Sequence, residues 1–249
     1  MVQQAPTLTP LVIYPDSDGQ PIAENTEQFQ WIVIIKENLE ILFADDPDVF
    51  IAGDLLWYPV EGDNKLRAAP DAMVAFGRPK GRRGSYRQWE EGQIPPQVVF
   101  EILSPGNRTG EMVQKFKFYE RYGVEEYYIY DPDHFELTGW LREGNELEPI
   151  AVMTDWVSPR LKIRFGWDET GLTLYYPDGQ RFLTSIELHR RAVDAEAALV
   201  QERECREQVQ ARAETALAQE RARAEQAEAA LAALQAKLAQ LGIDPQDVE

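Results

Sequence analysis

Two acidic residues and one lysine have the types and spacing that metal-assisted cleavage of a phosphodiester bond requires. Asp71 follows Pro70 at the start of an apolar segment, and Glu101 directly follows the apolar run at residues 98–100. Lys115 lies on the next predicted helix. Carboxylates at strand ends can hold Mg²⁺, which polarises a phosphate oxygen and lowers the pKa of a bound water. A nearby ammonium can orient that water or stabilise developing charge.

Each of these residues also has a plain structural interpretation. A Pro-Asp pair such as Pro70-Asp71 is common in turns, and Glu101 can be a strand-end acid that points to water. Next to a buried apolar run, however, an unpaired carboxylate costs free energy, and a bound metal would relieve that cost. If the strands that carry Asp71 and Glu101 pair, both carboxylates meet at one edge of the sheet.

The helix that carries Lys115 offers further candidates. Tyr119 lies four residues after Lys115 and therefore shares its helix face, whereas Lys117 points elsewhere. Glu111 lies four residues before Lys115, where it can pair with the lysine or supply a third carboxylate. The alternative for Lys115 is an ordinary solvated position on a polar helix face.

A basic segment follows the Asp71 strand. It contains no acid between Ala72 and Trp89, and its cations are Arg78, Lys80, Arg82, Arg83 and Arg87. Tyr86 and Trp89 could stack on bases, and Arg108, after Glu101, could add a phosphate contact. This pattern indicates either contact with a nucleic-acid backbone or a solvated loop that balances an acidic protein.

The apolar pattern predicts a helix, three strands, a second helix and a fourth strand. Asn25 and Gln28 match a helix capping box, and apolar residues at spacings of three and four continue to Asp45. Strands are predicted at 49–58, 72–76, 98–103 and 127–130, the second helix at 110–122, and shorter strands at 137–141, 161–165 and 172–176. Apolar strands that flank a helix indicate an α/β body with a mixed sheet.

Composition divides the chain into four predicted segments: an N-terminal arm or weak first strand at 1–24, a body at 25–185, a long helix at 186–241 and a tail at 242–249. The helical segment lacks Gly and Pro, and Leu231, Leu234, Leu238 and Leu241 repeat at coiled-coil spacing. Upstream of these leucines, the helix face that would form the coiled-coil seam carries mostly alanine and polar residues. The segment therefore predicts a coiled-coil homodimer, with a single, partly frayed charged helix as the alternative.

The overall charge and amino-acid composition exclude several classes of protein. A net charge of −18, from 43 acidic and 25 basic residues among 249, counts against strong non-specific binding of nucleic acid. One cysteine, Cys205, precludes an intrachain disulfide framework and favours a reducing compartment, the cytoplasm. The start of the chain does not resemble a signal peptide, and no apolar run reaches membrane-spanning length. Isolated His134 and His189 argue against structural zinc and a Ser-His-Asp triad.

The segment from Glu101 to Pro132, together with Pro70-Asp71, resembles the Uma2 family. These are bacterial restriction-endonuclease-like proteins, numerous in cyanobacteria, within the PD-(D/E)xK nuclease superfamily. The matching stretches are Phe100–Pro105, Lys115–Tyr119 and Tyr122–Pro132, with further likeness at Gly53–Tyr58 and Phe76–Gly81 to members that carry a coiled tail. The resemblance extends over roughly residues 20–185.

That resemblance implies an αβββαβ nuclease core in which Asp71 and Glu101 bind Mg²⁺ with help from the backbone carbonyl of Ile102. The superfamily lysine usually stands two positions after the acid, where this chain has Leu103. In Uma2-like sequences the lysine lies on the following helix, which matches Lys115. Glu111 stands where many relatives carry an Asp, and Asp54 is a further candidate for the metal site.

Two functions follow from these observations. The first is an endonuclease that uses Mg²⁺, or Mn²⁺ in its place, to hydrolyse DNA. The second is a catalytically inactive nuclease-fold protein that binds partners through its coiled coil. The intact acid pair favours the enzyme, whereas the acidic charge and the long helix favour the binding protein.

Overall fold

The computed structural model describes residues 12–17, 19, 23–106, 109–168 and 171–240. Two compact units make up the chain, Met1–Ile186 and Glu187–Glu249. Residues 1–11 of the expected arm, Arg108 and the tail at 242–249 lie outside the described residues.

The elements of the first unit follow the αβββαβ order that the resemblance implies, with additional short strands. The two helices of this unit are α1 (Thr26–Leu42) and α2 (Thr109–Tyr122). The strands are β1 (Val49–Ala52), β2 (Trp57–Tyr58), β3 (Ala72–Phe76), β4 (Tyr86–Arg87), β5 (Val98–Ile102), β6 (Glu126–Asp131), β7 (Glu136–Glu143), β8 (Glu146–Pro149), β9 (Arg164–Asp168) and β10 (Gly171–Tyr175). The predicted α/β class with a mixed sheet is confirmed.

Six strands form the main sheet in the order β1-β3-β5-β6-β7-β8. Only β5 and β6 run parallel in it, and α2 makes the crossover between them. β3 and β5 run antiparallel with Ala72 opposite Phe100, so the beginning of β3 meets the end of β5. The residues next to these two strand ends are therefore brought together by the sheet itself.

Each face of this sheet buries its own apolar core because side chains alternate along every strand. The core beside α1 contains Ile35 from the helix, Phe100 and Ile102 from β5, and Phe165 from β9. The core on the other face contains Val99 from β5 and Tyr119 from α2. Alternation places Glu101 with Val99, on the face that α2 covers.

Several strand boundaries differ from the prediction. The strand expected at 49–58 divides into β1 and β2, because the chain turns at Asp54, whose φ is +47°. β4 and β8 were missed, since two to four residues give too little alternation to detect. The strand expected at 161–165 begins at Arg164 instead.

The second unit consists of a long helix, as predicted. The helix α3 (Ser185–Gln240) has 56 residues and buries none of them in the described chain. Its exposed apolar residues include Leu217, Leu231 and Leu234. No helix among the described residues is long and apolar enough to cross a membrane.

Candidate active site

Asp71 lies where β3 begins, beside the end of β5. Its Oδ2 accepts a hydrogen bond of 2.6 Å from the backbone N–H of Ile102. Asp71 is 8% exposed and Glu101 only 2% exposed. The pairing of β3 with β5 thus brings two buried carboxylates to one edge of the sheet. The sequence predicted this meeting on the condition that the two strands pair.

Both oxygens of Glu101 have partners on α2. Lys115 Nζ donates to Oε2 at 2.7 Å, and the Tyr119 hydroxyl donates to Oε1. The spacing of four places Lys115 and Tyr119 on the same helix face, and Lys117 is exposed. Glu111 is also exposed, and the described ion pair of Lys115 is the one with Glu101.

Burial and like charge change the ionisation of this cluster. Desolvation, followed by repulsion from Glu101, raises the pKa of Asp71 from 3.8 to about 8, although Lys115 and the Ile102 N–H oppose the change. Burial alone would lower the pKa of Lys115, but attraction to Glu101 and Asp71 outweighs it and the pKa is raised. The site therefore favours the protonated form of Asp71 more than water does, and it favours the ammonium form of Lys115.

The backbone carbonyl of Ile102, the residue after Glu101, accepts a hydrogen bond of 2.9 Å from Gln28 Nε2. The sequence had identified Gln28 only as part of a helix cap. A usable signal was present, because Gln28 shares the buried face of α1 with Ile32, Ile35 and Leu39. A polar side chain on an apolar helix face needs a partner inside the protein.

Tyr127 is a second residue that the sequence analysis did not single out. It is fully buried, and within the described chain its hydroxyl has no hydrogen-bond partner. Its ring centroid lies 5.0 Å from that of Tyr119. Burial, then the charges of Glu101 and Asp71, raise the pKa of the Tyr127 phenol. An unused donor therefore lies near the two carboxylates.

Asp54 lies at the turn after β1, close to Asp71. Its N–H donates to the carbonyl of Pro70 at 3.1 Å, and its negative charge contributes to the raised pKa of Asp71. Asp54 therefore adds negative potential to the site from the turn after β1.

Comparison with known families matches residues 11–174, more than half of the chain, to the Uma2 model, described as "Putative restriction endonuclease". The chain belongs to the Uma2 family. None of the curated proteins matches it. Among solved structures, a chain described as "a putative nuclease belonging to DUF820 from Anabaena variabilis ATCC 29413" aligns with 15% identity and a TM-score of 0.41 over 54% of this chain and 72% of that one.

Most cations of the basic segment in this Uma2 protein are already engaged. Glu91 pairs with Arg83 and lies 3.9 Å from Arg78, and Glu90 lies 3.3 Å from Arg87. The guanidinium of Arg83 also covers the ring of Phe50. The two acids follow directly after the acid-free stretch that the sequence analysis had emphasised, so they neutralise much of its charge.

The remaining candidates for nucleic-acid contact differ in availability. Lys80 Nζ donates to the carbonyl of Ala44 at 2.9 Å, near the end of α1. Arg82 is exposed and forms no ion pair within the described residues. Arg82 is therefore the member of the segment with the most available charge, whereas Arg108 is outside the described residues.

The donor set of the Uma2 site fits a hard divalent cation. Among the described residues, no group of three or more His, Cys, Asp or Glu side chains is placed to hold a metal. Asp71 is nevertheless bonded to the backbone N–H of Ile102, and Glu101 directly precedes Ile102, so two carboxylates and one backbone carbonyl supply oxygen donors in this part of the structure. Mg²⁺ prefers oxygen and commonly keeps several waters, so a small protein donor set is sufficient.

Proposed function

We propose that this Uma2 protein is a Mg²⁺-dependent endonuclease that hydrolyses phosphodiester bonds in DNA. The observation that supports it best is the buried pair Asp71 and Glu101, with the Lys115 ammonium 2.7 Å from the second carboxylate. A raised pKa for Asp71 adds support, because perturbed acids cluster at functional sites. Membership of the Uma2 family supports nuclease chemistry in general.

The residues that would hold Mg²⁺, or Mn²⁺ in its place, are Asp71, Glu101 and the carbonyl of Ile102. When bound, the ion would polarise a phosphate oxygen and lower the pKa of a bound water. Asp71 must give up its proton to act as a ligand, since only the carboxylate binds a cation strongly. Tyr119 holds Glu101 in one orientation through its hydroxyl.

Lys115 has the main role in the reaction itself. A water oxygen attacks phosphorus and gives up one proton to the solvent, the bond from phosphorus to the leaving oxygen breaks, and that oxygen takes up one proton from the solvent. The Lys115 ammonium would hold the attacking water or donate to a phosphate oxygen, and its hydrogen bond to the Glu101 carboxylate supports this role. Arg82 is the proposed contact with the DNA backbone.

Calorimetric titration of Mg²⁺ and Mn²⁺, with plasmid nicking measured on the same samples, tests this function. The comparison is between wild type and Asp71→Ala/Glu101→Ala, with Lys117→Met as the control for an exposed charge. We expect binding and nicking in wild type and Lys117→Met, and neither in the double variant. Nicking by the double variant at the wild-type rate would reject the assignment of the site.

A second candidate is a catalytically inactive protein that recruits partners through its long helix. The 56-residue α3, with no buried residue in the described chain, favours it. Its expected result is no metal binding and no nicking by wild type, together with self-association through α3. The same titration therefore separates the two functions.

A further inference from the structure

The start of α1 is joined to the candidate active site through one side chain, that of Gln28. The residue is 5% exposed. Its Nε2 donates to the Ile102 carbonyl at 2.9 Å, and its Oε1 accepts from the backbone N–H of Glu24 at 2.8 Å. Both ends of the amide are used, so this side chain is held in a single orientation.

The surrounding contacts hold Gln28 in place. Its backbone N–H donates to the side chain of the N-cap residue Asn25 at 2.8 Å. The Ser104 hydroxyl, just after β5, donates to the carboxylate of Glu24. Two contacts therefore link the start of α1 to the end of β5. Gln28, in the first turn, contacts Ile102, and Glu24, just before the helix, contacts Ser104.

Ile102 is consequently held on both of its backbone polar groups. Its N–H donates to Asp71 at 2.6 Å, and its carbonyl accepts from Gln28. Ile102 directly follows Glu101 in the chain. Contacts that restrain the backbone of Ile102 thus restrain the geometry of Asp71 and Glu101 relative to each other.

We propose that Gln28 is a positioning residue that holds the Ile102 carbonyl for metal binding. This inference rests on the proposed metal-dependent function. A carbonyl oxygen has two lone pairs, so it can accept from Gln28 and still face a cation. Residues that orient a metal ligand commonly change metal affinity 10- to 100-fold when they are replaced.

The test is a calorimetric Mg²⁺ titration of the full chain in wild type, Gln28→Met and Asn25→Ala. Methionine is close to glutamine in length and lacks the Nε2 donor. Asn25→Ala removes the helix cap but leaves the Gln28–Ile102 bond, so it controls for loss of helix stability. We expect about tenfold weaker Mg²⁺ binding in Gln28→Met and wild-type affinity in Asn25→Ala.

Equal Mg²⁺ affinity in Gln28→Met and Asn25→Ala would overturn this inference and leave the proposed function standing. Absence of Mg²⁺ binding in wild type would overturn both together. If Gln28→Met does not fold, Gln28→Asn replaces it, because its amide is one methylene too short to reach Ile102. The rise in thermal midpoint on adding Mg²⁺ gives a second readout, independent of cleavage.

Discussion

The Lys115 ammonium lies 2.7 Å from Glu101 Oε2, and the Glu101 side chain is only 3% exposed. A carboxylate so buried depends on its cation, since removal of one partner from a buried pair leaves an uncompensated charge. In the proposed mechanism the same ammonium holds the attacking water or donates to a phosphate oxygen. We therefore expect stability and catalysis to be coupled at this pair.

We expect replacement of Lys115 to lower the stability of the protein and to leave metal binding intact. We expect Lys115→Met to lose about 3 kcal/mol of unfolding free energy in the absence of metal. A cation bound at Glu101 can substitute for the ammonium, so Mg²⁺ should restore part of that loss while nicking stays absent. Urea unfolding with and without Mg²⁺ measures this, with Lys117→Met as control. Equal stability of the two variants would contradict it.

The raised pKa of Asp71 predicts a pH dependence of stability. Because the folded pKa is about 8 and the ordinary value is 3.8, the folded state binds the proton more tightly. That stabilisation is complete below about pH 4 and is lost as the pH rises to about 8. The slope is at most about 1.4 kcal/mol per pH unit for one proton.

Asp71→Asn should remove this pH dependence, because its amide oxygen can still accept from Ile102 but does not titrate. We expect the variant to be more stable than wild type at pH 8 without metal, and the difference to shrink toward pH 4. Unfolding curves at four pH values between 4 and 8 measure it. Parallel pH profiles for the two proteins would show that Asp71 ionises normally.

Two buried tyrosines should respond in opposite ways to loss of the hydroxyl. Tyr119→Phe removes a donor from a buried carboxylate and should cost about 2 kcal/mol. Tyr127→Phe removes a hydroxyl with no partner among the described residues, so it should be neutral or stabilise by about 1 kcal/mol. Denaturant unfolding of both variants without metal measures these changes in stability. Equal losses of unfolding free energy in the two variants would mean that the Tyr127 hydroxyl has a partner.

Arg82 and Arg83 provide a matched pair for nucleic-acid contact. Arg82→Gln should reduce the salt dependence of DNA affinity by about one phosphate contact without affecting stability. Arg83→Gln breaks the ion pair with Glu91 and the contact with Phe50, so it should mainly lower stability. Fluorescence anisotropy at several salt concentrations measures the first effect. An unchanged salt slope in Arg82→Gln would remove Arg82 from the DNA interface.

The leucine repeat near the end of α3 predicts self-association of the full chain. Leu231→Glu/Leu238→Glu places charges on the predicted seam and should convert a dimer to a monomer. Ala229→Glu lies off that seam and should leave the dimer intact. Sedimentation equilibrium measures the mass, and a double variant that remains dimeric would place the interface outside this leucine repeat.

Local signals predicted much of the fold. Asn25 accepts from the N–H of Gln28, as the capping box predicted, and α1 begins at Thr26. The apolar runs predicted β3 and β5 closely, and the absence of Gly and Pro predicted α3. The break in the strand expected at 49–58 lies at Gly53-Asp54, a pair typical of turns, and the apolar residues on both sides of it obscured this signal.

The sequence by itself determined which residues carry acid, base and apolar character, and hence that Asp71 precedes one apolar run and Glu101 follows another. Only the tertiary structure decided their partners. Gln28 and Ile102 are 74 positions apart, and Glu101 and Lys115 are 14 apart, so these contacts exist only once the sheet and helices pack. Local propensity acts over a few residues, whereas burial, which raises the pKa of Asp71 and penalises a polar group that lacks a partner, is a property of the packed chain.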